Sequence, residues 1–391
     1  MKCVVGVVLA LALVACAPPS DDGVVVWHSY GGLEREALEQ LAADWNAQHP
    51  ASPVHLVAVP YTAFADKLTS AIPNGNGPDL FIYSHDRIGD WALGGVIESV
   101  GFWVDDELAD RYADDAIAAM AFRGQLYGLP LAVKSLALFY RTDLVETPPA
   151  TTDALIAMAP GLYAREIYPL AYANVDLYGH APWLFGMGGH VLDANGAPDL
   201  ATPEAIAAAE LARTLVDAHA VPPEASGALV ASLFNKRRAA MAMSGPWFVG
   251  DIEAGVPWKV TTLPIVSASG KHAAPFLGAE GVLMSARARD KAGAFAVMAY
   301  LAGDAAAAAR ARRARQVVPN RAAWLDPALA DDAVMQAFRA QLEHTAAMPA
   351  EPAMRLVWTP YKTALGDILS GRTAPGERLL ATQREVEGYL R

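Results

Sequence analysis

Two cysteines, Cys3 and Cys16, are all that 391 residues contain, and both fall among the first sixteen. That scarcity excludes a disulfide framework, a thiolate metal site and a cysteine nucleophile in the body of the chain. Positive charge is also short: 30 Lys and Arg face 42 Asp and Glu, a net charge of −12, and the basic residues are scattered. A phosphate backbone would be repelled, which argues against nucleic acid as a partner. The histidines are dispersed without H-E-x-x-H or similar spacing, so no metal or other cofactor is expected. Asp193-Ala194-Asn195-Gly196 resembles the start of a calcium loop but lacks the closing glutamate, and reads better as a turn. A G-x-S-x-G nucleophile elbow is missing too, and Ser244-Gly245 runs into Pro246. The paired carboxylates Asp105-Asp106, Asp114-Asp115 and Asp331-Asp332 lie in polar or Ala-rich segments and read as solvated helix ends.

The N-terminus carries an address. Lys2 precedes an apolar stretch from Val4 to Val14, too short to span a bilayer comfortably and without a stop-transfer flank. It ends in Leu13-Val14-Ala15-Cys16, which resembles a bacterial lipobox. We expect residues 1–15 to be a signal peptide, Cys16 to carry lipid and residues 16–22 to form a tether. Lipidation would also block a thiol that is otherwise odd in an exported protein.

The length allows about two domains of roughly 150 residues each. Residues 23–30, 53–59 and 79–83 read as β-branched or apolar strands, with helical periodicity between them. Leu38, Leu41 and Trp45 share one helix face and Pro50 ends that helix; 64–72 forms a second, shorter one. This β-α-β-α-β order predicts parallel strands covered by helices, with ligand sites beyond the strands' carboxyl ends. Further on, 239–244 reads as a buried strand, Thr202 as the cap of a helix that Pro203 opens, and 332–342, 359–369 and 376–389 as helices.

The segment GPDLFIYSHDRIGDW (77–91) puts His85, Asp86 and Arg87 just past such a strand end. The cluster is therefore placed at a site, whatever that site does. Tyr83, Tyr178, Trp247 and Trp358 each lie beside Gly, Pro or a strand end, with Asp86, Arg87 and Asp176 near in sequence. Flat apolar rings suit the C–H faces of sugars, Asp accepts hydroxyl hydrogen bonds, and Arg donates in a fixed fork. Asp86 with Asp176 also leaves a two-carboxylate glycoside hydrolase open. Lys134 stands alone in the apolar run LPLAVKSLALFY, where a charge needs a reason: it either reaches outward or pairs with a nearby Asp, or it points into a cleft.

Five segments carry a family resemblance: GPDLFIYSHDRIGDW; AFRGQLYGLPLAVKSLALFYRTDLVETPP; FNKRRAAMAMSGPW; APFLGAEGVLMS; and MPAEPAMRLVWTPYKTAL. Over nearly all of the chain past its leader, the sequence resembles the periplasmic maltose/maltodextrin-binding proteins among the solute-binding proteins of ABC importers. The resemblance implies an α/β, two-lobed periplasmic-binding-protein fold with discontinuous lobes around a hinge and a ligand cleft. The lobes would comprise residues 23–132 with 280–329, and 133–279 with 330–391, crossing near Val133, Gly278 and Leu329. It implies no catalysis: Asp86, Arg87 and Asp176 would bind sugar hydroxyls, while Trp247 and Trp358 stack on glucose, helped by Tyr83 and Tyr178. Asp176, Tyr83 and Lys134 stand where the family has Glu, Trp and Glu, and Gly31-Gly32 and Gly227 replace Asp-Lys and a stacking Tyr. These departures leave the glycan open between maltodextrins and other α-glucosides. His85 reads as structural. The expected partners are an oligosaccharide, the membrane subunits of an ABC importer and a lipid anchor, with a monomeric protein on the periplasmic or extracellular face. A sugar-binding protein serving a chemoreceptor is the remaining alternative.

Overall fold

The computed structural model describes residues 23–391, so the signal peptide, Cys16 and the tether lie outside the described residues. Two sheets organise the chain. In the first, Val54–Ala58, Val24–His28 and Leu80–Ser84 are parallel neighbours. Leu80–Ser84 then pairs antiparallel with the long strand Phe276–Met284, which also takes up Gly128–Lys134 and, in parallel, Ala346–Ala347. The parallel trio is the expected one; the antiparallel insertion comes from residues far along the chain, which local periodicity cannot announce. The second sheet runs Trp258–Thr261, Ala137–Arg141, Ala239–Ser244, Tyr168–Ala171.

Strand alternation sorts the cores. Leu80 and Ile82 pack on one face of the first sheet, with Val26, Leu38, Leu41 and Val282. Phe81 and Tyr83 pack on the other with Phe64, Leu68 and Trp91. In the second sheet Leu138, Met241 and Met243 face one way, and Ala137, Phe139 and Ala242 the other. Phe81 and Phe139 are fully buried, so truncating either to Ala would cost about 3–5 kcal/mol.

Only Ser135 and Leu136 separate Gly128–Lys134 in the first sheet from Ala137–Arg141 in the second. The chain thus changes sheets at Lys134, which pairs in register with Gly278 of the long strand. His85 staples this crossing. Its Nδ1 accepts from the Ala279 N–H at 3.1 Å, and its Nε2 lies 2.8 Å from the Met348 carbonyl oxygen. His85 is buried and wholly occupied with backbone, which is the structural role expected of it. Asp79 plays a similar part: it accepts from the Val25 and Arg289 N–H groups, both at 3.0 Å, and pairs with the Arg289 guanidinium at 2.7 Å.

Two local expectations need correction. The helix expected over 64–72 is Tyr61–Ala71, beginning directly after Pro60. The helix expected over 359–369 is Pro352–Leu369, with Pro352 in its first turn and Pro360 inside it. Pro360 forfeits one backbone hydrogen bond, but Met354, Val357, Tyr361, Leu365 and Ile368 bury a continuous face that carries the helix through. Trp358 therefore sits within a helix and not at a loop junction. The helix ends read from acidic pairs are sound: Asp105 caps the Leu108 N–H and Asp332 caps those of Val334 and Met335. Thr202 caps its helix as expected. The Asp193 turn closes on itself, its carboxylate accepting from the Asn195 and Ala197 N–H groups at 2.8 and 2.9 Å.

Candidate functional site

The site is built where strand ends of the first sheet meet helix starts of the second lobe. Tyr83 is the penultimate residue of Leu80–Ser84, and Asp86 lies in the single 3-10 turn that follows. Both are buried. Burial pushes the Asp86 carboxyl up, against the pull of His85 and Arg87. Burial and the Asp86 charge push the Tyr83 phenol up to about 12. Arg87 does not stand free: its Nη2 donates to Asp90 at 3.0 Å and its guanidinium lies over Trp91, 5.3 Å from the ring centroid.

From the second lobe, Asp176 precedes the helix Leu177–Met187 and Tyr178 is in its first turn. Asp176 is half-exposed and pairs with Lys362 at 2.9 Å. Tyr178 lies among Lys134, Glu280 and Asp86; burial raises its phenol above the ordinary range. Trp247 sits in the turn Pro246–Asp251 that follows strand Ala239–Ser244. The glycine before this turn is required, because a Cβ on Gly245 would overlap the six-membered ring of Trp247. Phe276 gathers the aromatics: Tyr178 stacks on it at 6.0 Å, and Trp358 lies tilted to it, also at 6.0 Å. Tyr178 and Trp247 are 6.3 Å apart.

Lys134 resolves differently from either of its open readings. It does pair, with glutamates and not an aspartate: Nζ donates to Glu34 at 2.9 Å and lies 3.3 Å from Glu280. Its Nζ also lies 5.6 Å from the Trp247 ring centroid and 5.3 Å from that of Tyr30. Burial alone would lower the Lys134 pKa, but Glu280 and Glu34 outweigh it and hold the ammonium charged. Burial drives the Glu280 carboxyl up despite the pull of Lys134. The Tyr30 hydroxyl donates to Glu280, and Gln316 Nε2 donates to Glu34 at 3.0 Å. Buried Arg310 completes the charge balance, donating to the Leu301 and Leu131 carbonyls beside Tyr30 and Glu280.

The structure thus brings Tyr83, Asp86, Lys134, Tyr178 and Trp247 to one wall system, with Trp358 joined through Phe276. Asp176 and Arg87 stand beside it, each held by another charge. Sequence reasoning missed Glu34, Tyr61, Phe276 and Glu280. One of these carried a legible signal: Glu280 interrupts the apolar run FLGAEGVLM just as Lys134 interrupts its own. Among the described residues, no group of three or more His, Cys, Asp or Glu gathers as metal ligands.

Known proteins share this architecture. A maltotriose-binding protein from Pyrococcus abyssi is 28% identical over 353 residues, covering 88% of this chain and 77% of that protein. A galactooligosaccharide-binding protein from Bacillus subtilis is 24% identical, covering 98% and 95%. A maltotriose-binding protein from Thermus thermophilus, solved with maltotriose bound, superposes with a TM-score of 0.87 at 25% identity, covering 94% of this chain and 100% of that one. Residues 31–308 match the family described as bacterial extracellular solute-binding protein, and with the two-lobed fold and cleft this chain belongs to that family.

Proposed function

We propose that the protein binds an oligosaccharide in the cleft between its lobes, most simply maltose, a maltodextrin or a related α-glucoside, and delivers it to an ABC importer by closing on it. The observation that carries this reading is the aromatic surface formed by Tyr178, Trp247 and Trp358 around Phe276, opposite Tyr83 and buried Asp86. Pyranose C–H faces lie on such rings, while Asp86, Arg87 and Asp176 supply hydroxyl partners. Arg87 and Asp176 would exchange their present partners, Asp90 and Lys362, for sugar hydroxyls or share them. Lys134 serves at the hinge end, where its ammonium is already shared by Glu34 and Glu280.

The lobes would be residues 23–132 with 280–329, and 133–279 with 330–391, hinged near Val133, Gly278 and Leu329. Ligand would shift the open–closed equilibrium, and the importer would sense the closed form. Cys16 would anchor a monomeric protein by lipid on the periplasmic or extracellular face. No bond is broken in this account. The carboxyls with raised pKa, Asp86 and Glu280, would suit a hydrolase, but Glu280 is engaged by Tyr30 and Lys134. A thermal-shift panel of neutral and acidic oligosaccharides tests the proposal, because a ligand bound by the native state alone raises the melting temperature. Malto-oligosaccharides should raise it most. A rise confined to galacto-oligosaccharides would move the specificity, and new reducing ends during incubation would make the protein an enzyme.

A further inference from the structure

Tyr61 opens the helix Tyr61–Ala71, directly after Pro60. Its ring stacks on Tyr83 with centroids 5.7 Å apart and planes 9° from parallel. Tyr83 in turn stacks on fully buried Phe64 at 5.4 Å and leans on Trp91 at 5.1 Å. The Tyr61 ring is therefore backed by a fixed aromatic layer. Even so, the residue is 62% exposed. An exposed tyrosine on an outer surface normally turns freely and gains little by being held. Here one face is pinned and the other is bare.

The neighbours show where that bare face looks. The Tyr61 hydroxyl feels Tyr83, Asp86 and, from the opposite lobe, Tyr178. The charged groups that act on the Tyr178 phenol are Lys134, Glu280 and Asp86. The two sets meet at Asp86. That orders the cleft from the hinge end, with Lys134, Glu280 and Trp247, through Tyr178 and Asp86, to Tyr61 at the rim.

We propose that Tyr61 is an outer stacking platform that receives an additional pyranose of a longer oligosaccharide, beyond the units held at Tyr178, Trp247 and Trp358. The proposal rests on the oligosaccharide reading above and makes Tyr61 a determinant of ligand length. A ring already immobilised loses little freedom when a sugar lies on it, so its contact area is converted efficiently into affinity. Ligands too short to reach the rim gain nothing from it.

Calorimetry with maltose, maltotriose and maltotetraose on the unmodified protein, Tyr61→Ala, Tyr61→Phe and Trp247→Ala tests this. Tyr61→Ala should weaken maltotetraose roughly tenfold while leaving maltose within about twofold. Tyr61→Phe, which keeps the ring, should retain the length preference, and Trp247→Ala should weaken all three sugars. Equal loss across the three sugars in Tyr61→Ala, or none with maltotetraose, overturns the rim platform while leaving the sugar site intact. An unmodified protein that releases no heat with any of the three overturns the oligosaccharide reading and the platform with it. A melting temperature of Tyr61→Ala matching that of the unmodified protein confirms that any loss is one of contact and not of fold.

Discussion

The Lys134 ammonium lies 2.9 Å from a Glu34 oxygen and 3.3 Å from a Glu280 oxygen, at the point where the chain leaves its first sheet for its second. All three side chains are mostly shielded from water. Removing the cation would leave two carboxylates facing each other in a poorly solvated place, the situation in which a broken buried pair is most costly. Lys134→Met should therefore destabilise the protein by about 3 kcal/mol at pH 7 in urea unfolding. The loss should shrink at pH 5. Glu280 already has a raised pKa when folded, and the folded state of the variant would hold its proton more tightly still. A group that gains a proton affinity on folding contributes its stability at low pH and loses it as pH rises through the folded pKa. A pH-independent loss would show that the two glutamates do not interact. Lys134→Glu should be worse than Lys134→Met, since it adds a third carboxylate.

Gly245→Ala should weaken sugar binding about as much as Trp247→Ala does, with little effect on the fold. The backbone φ of Gly245 is −92°, which any residue can adopt, and the nearest obstacle to a side chain is the Trp247 ring. That ring must move, and it is half-exposed. Calorimetry should show weakened binding, and unfolding curves should show a change below about 1 kcal/mol. Retained affinity would place Trp247 outside the binding surface.

Trp247→Ala and Trp358→Ala should each weaken maltotriose binding by about 1–3 kcal/mol if both rings lie against the ligand. Their effects should not be additive, since Trp358 and Tyr178 share Phe276 as a support and Tyr178 faces Trp247. Unchanged affinity in both variants would remove the stacking platform from the account.

Acid should destabilise the second lobe through His180. This residue is fully buried in the helix that carries Tyr178, and burial lowers its pKa to about 4. The unfolded chain, with an ordinary histidine near 6.5, binds a proton that the folded chain refuses between those values. Stability is then full above about pH 6.5 and falls as pH drops toward 4, by about 2 kcal/mol between pH 7 and pH 5. His180→Leu should flatten that slope in denaturant titrations at the two pH values. An unchanged slope would assign the acid sensitivity elsewhere.

Cys16→Ser should yield protein without lipid. Fatty-acid labelling of cells reads this directly, and undiminished label in the variant would refute the anchor.

The sequence was legible where a function is local. The strand-end position of Asp86 and the caps at Thr202, Asp105 and Asp332 follow from short-range rules. What escaped depends on segments far apart in the chain. Glu34 and Glu280 are 100 and more residues from Lys134, and only the crossing of the sheets brings them to it. Pro360 looked like a boundary because a proline costs a helix bond, and the buried face of Pro352–Leu369 overrode that local cost. Tyr61 gave no signal at all, since its meaning lies in Tyr83 behind it and Tyr178 across from it.

The central claim is that the wall formed by Asp86, Tyr178, Trp247 and Trp358 binds a short chain of α-linked glucose. Isothermal titration calorimetry of the purified protein with maltotriose tests it most directly, with Asp86→Ala and Trp247→Ala as partners. The account predicts saturable binding with one site per chain, weakened at least tenfold in each variant. The absence of heat at millimolar maltotriose, or affinity indifferent to both substitutions, would contradict it.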